Sequence, residues 1–122
     1  MAIRGVLFDK DGTLIDVNGT WVPVYRHILM QLFGVDEAGA EALMEKVGYD
    51  PETGRFVAGS ILAAGTTAQL VEVWWPKATP VERRHFTRVL DHDFTPLVKD
   101  ALKPLLPLVP VFEALKAQGL PL

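Results

Sequence analysis

An α/β fold is what this 122-residue sequence predicts, with one buried-type strand opening onto a mostly helical insertion. Three observations carry that expectation. Ile3 to Phe8 is an apolar run without alternation, which suits a strand covered on both faces, as in a parallel sheet. The run stops abruptly at Asp9-Lys10-Asp11-Gly12-Thr13. From about Thr20 to Pro96 the punctuation is helical, and a return segment from Leu97 to Leu122 then carries four prolines: Pro104, Pro107, Pro110 and Pro121.

The elements follow in chain order. A first helix is expected from about Trp21 to Phe33, with Gly34 as its stop. A second starts at Asp36 as N-cap, carries Ala42, Leu43 and Val47 on its inner face, and stops at Gly48. Residues 49–54 form a turn cluster, and the stretch from there to Gly65 reads as loop. Thr66 with Gln69 three residues on is a capping box for a helix ending at Pro76. Thr79-Pro80-Val81-Glu82 is a fuller one, with a hydroxyl N-cap, proline at the first helical position and a carboxylate at the third. The helix it starts should turn Phe86, Val89 and Leu90 inward. Pro110 opens a short helix through Gln118 with Phe112 and Leu115 on one face, and Gly119 ends it. Leu120-Pro121-Leu122 then reads as the start of another strand.

Composition narrows the function. The chain is 49% hydrophobic and 22% charged, enough apolar surface to exclude a disordered tail. A net charge of −3 leaves no basic excess to neutralise phosphates, so no nucleic-acid partner is expected. The absence of cysteine excludes a disulfide framework, a thiol nucleophile and cysteine-based zinc or iron–sulfur sites. Arg4 precedes too short an apolar run for a secretory leader, and no segment approaches the ~18 apolar residues of a membrane span. A cytoplasmic protein with no membrane partner is therefore expected.

The chemistry concentrates at Asp9 and Asp11. A buried strand that ends in two nearby carboxylates is costly unless a cation relieves their repulsion. The carboxyl end of a parallel strand is also where open α/β sheets bind ligands. Magnesium is the natural cation, since it takes oxygen ligands and combines one or two carboxylates with a substrate phosphate. Gly12 permits a tight backbone path away from the strand, and Thr13 can tie the turn by hydrogen bonding. An acidic strand-to-loop turn with no further role has the same composition. The apolar run before it and Thr13-Leu14 after it favour the functional reading.

The segment Val6-Leu7-Phe8-Asp9-Lys10-Asp11-Gly12-Thr13-Leu14-Ile15-Asp16 resembles the first signature of the haloacid dehalogenase-like hydrolase superfamily, in its phosphoglycolate-phosphatase-like branch. The resemblance implies a Rossmann-like core with a helical cap inserted after the first strand. Residues 1–16 would be the first strand and catalytic loop, 17–96 the cap, and 97–122 the return to a core that is incomplete. It implies a magnesium-dependent phosphatase acting on a small phosphorylated metabolite, phosphoglycolate-like, through an aspartyl-phosphate. Asp9 would be the nucleophile and a metal ligand. Asp11 would be the general acid and then the base, with its backbone carbonyl also on the metal. Dehalogenase members lack an acid at the Asp11 position, so phosphoryl transfer is the expected branch. The family's later signatures supply a Thr or Ser for the phosphate, a Lys or Arg, and further acids. None of these is present by Leu122, so an N-terminal fragment with little turnover is expected.

Two other functions fit the same residues. One is a non-catalytic association module in which the helical cap mediates association, with the exposed part of an incomplete core inviting self-association or pairing with a partner chain. The other is a phosphosugar mutase of the same fold. Elsewhere, Asp91-His92-Asp93 reads as a solvated helix end, because consecutive helical side chains diverge too far to share a metal. Arg83, Arg84, His85 and Arg88 form a basic strip that reads as a solvated face. Trp74 and Trp75 with Leu70 and Val71, and Trp21 with Phe33, read as helix core. Ser60, Thr66 and Thr67 read as helix caps.

Overall fold

Helix capping organises most of the chain. The computed structural model describes residues 2–122. Helix α1 (Val17–Phe33) starts where the Asp16 carboxylate accepts the Gly19 N–H at 3.0 Å, and it ends at Gly34, whose φ of 62° is left-handed. It begins a turn earlier than the expected Trp21. The Asp16 cap takes precedence, and Pro23 sits inside the helix.

Asp36 caps α2 (Glu37–Glu45), as expected, through the Gly39 N–H at 2.8 Å. Its buried residues are Ala40 and Met44, while Ala42 is exposed and Leu43 half-buried. The turn cluster is a tight hairpin, β1 (Tyr49–Asp50) against β2 (Arg55–Phe56), with Tyr49 opposite Phe56. Asp50 holds the turn by accepting the Glu52 N–H at 2.9 Å and the Thr53 hydroxyl at 3.1 Å. A short α3 (Ile61–Ala64), capped by Ser60, occupies the stretch expected to be loop.

Both expected capping boxes form, Thr66/Gln69 at α4 (Thr67–Trp74) and Thr79/Glu82 at α5 (Pro80–Ala101). The Thr79 backbone N–H, and then its hydroxyl partnership, hold the Glu82 carboxyl below its ordinary pKa. Helix α5 runs on through Pro96, past the point where the proline-rich return is expected to begin. Helix α6 (Leu108–Ala117) follows, and Pro110 is its third residue rather than its first.

The core lies among α1, α2, α4 and α5. Ile28, Leu29, Met44, Val71 and Leu90 are sealed there. Phe33, Trp75 and Phe86 stack in series, with centroids 4.9 and 4.6 Å apart. The Trp74 indole N–H donates to the Leu43 carbonyl at 3.0 Å. The expected use of these aromatics as core is what the structure has. No helix among the described residues is long and apolar enough to cross a membrane.

The Rossmann-like α/β fold is corrected by this architecture. The described chain is mostly helical, and its one sheet is the two-stranded antiparallel hairpin. Ile3 to Phe8 is not a strand, and Ile3 and Leu7 are 72% and 98% exposed. A buried strand must satisfy its N–H and C=O groups along both edges. Here the Val6 N–H reaches the Pro121 carbonyl at 2.9 Å, and Pro121 has no N–H to return. Leu120 to Leu122 is likewise not a strand. A short apolar run signals burial without supplying the neighbours that burial needs.

The two ends of the helical region do meet. Residues 14–16 run antiparallel to residues 103–105, through Asp16 N–H to Lys103 O at 2.7 Å and Leu105 N–H to Leu14 O at 2.9 Å. The fully buried Thr20 hydroxyl accepts the Lys103 N–H at 3.1 Å, so α1 fixes where the chain returns. That pairing anchors the acidic loop beside the bundle.

Candidate functional site

The acidic loop is a compact turn built on one carbonyl. Lys10 C=O accepts the N–H groups of Thr13, Leu14 and Ile15 at 3.3, 2.9 and 3.2 Å. The Gly12 N–H reaches across to the Ile15 carbonyl at 3.0 Å. Gly12 turns the chain at φ 78°, a conformation that strains side chains bearing a Cβ. The Thr13 hydroxyl donates to the Asp9 carboxylate at 3.4 Å, a long bond that ties the start of the turn to its end. Lys10 Nζ lies 3.5 Å from Asp11 Oδ1, with both side chains largely in water. Asp9, Asp11, Gly12 and Thr13 are all exposed. The carboxylates therefore project from a turn rather than from the end of a buried strand.

Beside this turn opens a cleft of about 720 Å³. Lys10 and Asp11 stand on one side of it. Val17, Trp21 and Tyr25 of α1 line another, spaced four residues apart on one helical face. Asp91, Phe94, Thr95, Val98, Lys99 and Leu102 supply a third along one stripe of α5. Thr67 donates its hydroxyl to Asp91 at 2.6 Å, closing the wall between α4 and α5. The size is that of a small-molecule site. Burial raises the Tyr25 hydroxyl pKa to about 12, so it is a neutral O–H donor at any physiological pH.

Sequence reasoning singled out the loop and missed most of the cleft. Trp21 was expected in the core, and Thr95, Lys99 and Phe94 were not singled out at all. Their signal is the mixed stripe 91, 94/95, 98/99, 102 on α5, which is helical but alternates charge with apolar bulk. Thr67, expected as a cap residue, instead bonds Asp91, while Ser60 and Thr66 do cap.

The remaining polar clusters stand apart. Asp91 faces the cleft, whereas His92 and Asp93 pair at 3.2 Å along a different groove. Arg83, Arg84 and Arg88 line a third groove of about 410 Å³ with Glu72 and Thr87, and Arg83 donates to the Pro76 carbonyl at 2.9 Å. None of the three arginines lines the cleft beside Asp11. No group of three or more His, Cys, Asp or Glu is disposed to hold a metal among the described residues. Compared with protein-family models, curated proteins and solved structures, the chain matches none.

Proposed function

We propose that the chain carries the nucleophile and the acid–base of a phosphomonoester phosphotransfer reaction, with Asp9 and Asp11 in those roles. The observation that supports this most is that Lys10 and Asp11 of an exposed carboxylate turn line a cleft of about 720 Å³, with Asp9 two residues away on the same turn and outside that lining. A carboxylate nucleophile must be free to approach phosphorus, and a proton donor must lie close to the leaving oxygen.

Asp9 would attack phosphorus with one carboxylate oxygen while the bond to the ester oxygen breaks. Asp11 would give its proton to the departing alkoxide, leaving an aspartyl-phosphate on Asp9. Water would then attack that phosphorus as Asp11 takes back a proton, and the bond from phosphorus to Asp9 would break to release phosphate. The Thr13 hydroxyl, on Asp9 in the resting turn, limits how that carboxylate swings. Lys10 and Lys99 are the cations lining the cleft among the described residues, and they would offset part of the phosphate charge.

Magnesium fits the oxygen donors of the turn. The Asp9 carboxylate and the Asp11 backbone carbonyl are hard oxygen donors that would hold the ion with substrate phosphate and water, leaving the Asp11 carboxyl for proton transfer. Bound there, the ion would supply further positive charge to the transferring phosphoryl group.

The test is phosphate release from a panel of phosphomonoesters with magnesium present. Slow turnover is expected from so few cations, with loss of at least about 10²-fold in Asp9→Asn and in Asp11→Asn. Equal phosphate release by wild type and Asp9→Asn would remove the nucleophile assignment.

Self-association is a second reading, favoured by the exposure of Ile3, Leu7, Leu102, Leu105 and Val109 on the terminal segments. Concentration-dependent elution in size-exclusion chromatography would support it, and a constant monomer would remove it.

A further inference from the structure

The cleft is more apolar than a two-carbon phosphate ester requires. Its deep wall is an aromatic trio: Trp21 and Phe94 meet edge to face at 5.6 Å, and Tyr25 meets Phe94 the same way at 5.1 Å. Trp21 and Tyr25 lie 5.4 Å apart. Tyr25 and Phe94 are buried, but Trp21 is only partly buried and lines the open volume. Leu62, Leu70 and Val98 extend the apolar surface. The charged groups gather elsewhere on the lining, with Lys10 and Asp11 on the turn and Lys99 on α5. Asp91 is already engaged by Thr67. The lining therefore combines Lys10 and Asp11 of the turn and Lys99 of α5 with an apolar wall in which Trp21 is the accessible ring, backed by buried Tyr25 and Phe94.

We infer that the cleft takes a phosphate ester of an aryl alcohol, its ring against Trp21 and its phosphate toward the Asp9–Thr13 turn. The placement of the phosphate rests on the phosphotransfer reading above. The placement of the ring rests on the cleft alone. An aromatic ring gains from both the area it removes from water and its edge or face contacts with other rings. A phosphoglycolate-like substrate has no ring to set against Trp21. Thr67 and Thr95 line the cleft with hydroxyls that donate to the Asp91 carboxylate and backbone carbonyl and can still accept, and Lys99 adds a cation, so a polar substituent on the ring has partners too.

Calorimetry on the full chain with naphthyl phosphate, naphthol and phosphoglycolate tests this without requiring turnover. Naphthyl phosphate should bind at least about tenfold more tightly than phosphoglycolate, a difference of about 1.4 kcal/mol. Naphthol should compete with it. Thr95→Trp fills the cleft from an exposed position on α5, leaves the aromatic trio in place, and should weaken naphthyl phosphate about tenfold or more. Trp21→Leu should do the same by removing the ring's platform. Equal affinity for naphthyl phosphate and phosphoglycolate, or a folded Thr95→Trp that binds naphthyl phosphate as wild type does, overturns the inference. Assays of phosphate release separate it from the chemistry. If Thr95→Trp blocks binding but Asp9→Asn releases phosphate like wild type, the aryl cleft stands and the nucleophile assignment falls. If Asp9→Asn abolishes release while the two esters bind alike, the reverse holds.

Discussion

The helical bundle and the terminal segments are held by different forces. In α1, α2, α4 and α5 the interior side chains are sealed, and Leu29, Met44 and Val71 have no solvent exposure. Residues 2–16 and 102–122 place no residue in that core, and α6 buries none fully. They hold to each other by backbone pairing between 14–16 and 103–105, one bond from Val6 to Pro121 and the contact of Phe8 with Phe112 at 5.3 Å, and to the bundle by the Asp16 cap on α1 and the Thr20 hydroxyl that accepts the Lys103 N–H. Packing gives the bundle a rigid wall, and pairing hangs the acidic turn beside it. The proposed chemistry sits where the two meet, so either region can fail separately.

The largest effect should come from the bundle. Leu29→Ala should lower unfolding free energy by about 2–5 kcal/mol, read by chemical denaturation, because a sealed site relaxes poorly around a lost side chain. Leu7→Ala, at 98% exposure, should change stability by less than about 0.5 kcal/mol. Comparable losses at both positions would erase the distinction between the regions.

The junction should respond less strongly. Thr20→Val keeps the shape of a buried side chain but deprives the Lys103 N–H of its acceptor. A loss of about 1–3 kcal/mol is expected. Faster hydrogen exchange at the Lys103 amide, with bundle amides little changed, would locate the damage at the return segment. Uniformly faster exchange would instead make the junction part of the bundle's cooperative unit.

The smallest effect is a pH dependence. Hydrogen bonds from Thr79 depress the Glu82 pKa below 4.5, so the folded state binds that proton less readily than the unfolded state. The stabilisation is fully present above pH 4.5 and fades as pH falls through the lower folded value. Glu82→Gln should flatten that part of the stability–pH curve, measured by thermal melts. An unchanged slope would show that the α5 start does not contribute.

Local signals proved readable where the interaction partners lie within a few residues. Asp36, Thr66 and Thr79 cap the helices expected of them, because an N-cap bonds N–H groups two or three positions on. Gly34 stops α1 for a similarly local reason. Distant partners were less readable. The strand over Ile3 to Phe8 needed neighbours that a run of apolar letters cannot reveal, and no sheet surrounds it. The helical region is expected to end at about Pro96, yet α5 continues through it to Ala101, where Phe94 packs on Trp21 and Tyr25 across the bundle. In the candidate site, Gly12 and Thr13 behave as turn residues as expected, since their bonds close within six residues.

What could be known from residue order alone was the identity of the acidic turn, Asp9 to Thr13, and the starts of α2, α4 and α5. Both depend on short-range hydrogen bonding and on steric limits of single residues. Which side chains face that turn was settled by packing. Trp21, Phe94 and Lys99 lie far apart along the chain and meet at one cleft because the burial of Leu29, Val71 and Leu90 fixes how α1, α4 and α5 lie together. The same dependence on distant partners left the apolar start of the chain exposed, since hydrophobicity favours burial but cannot supply the surface that covers it.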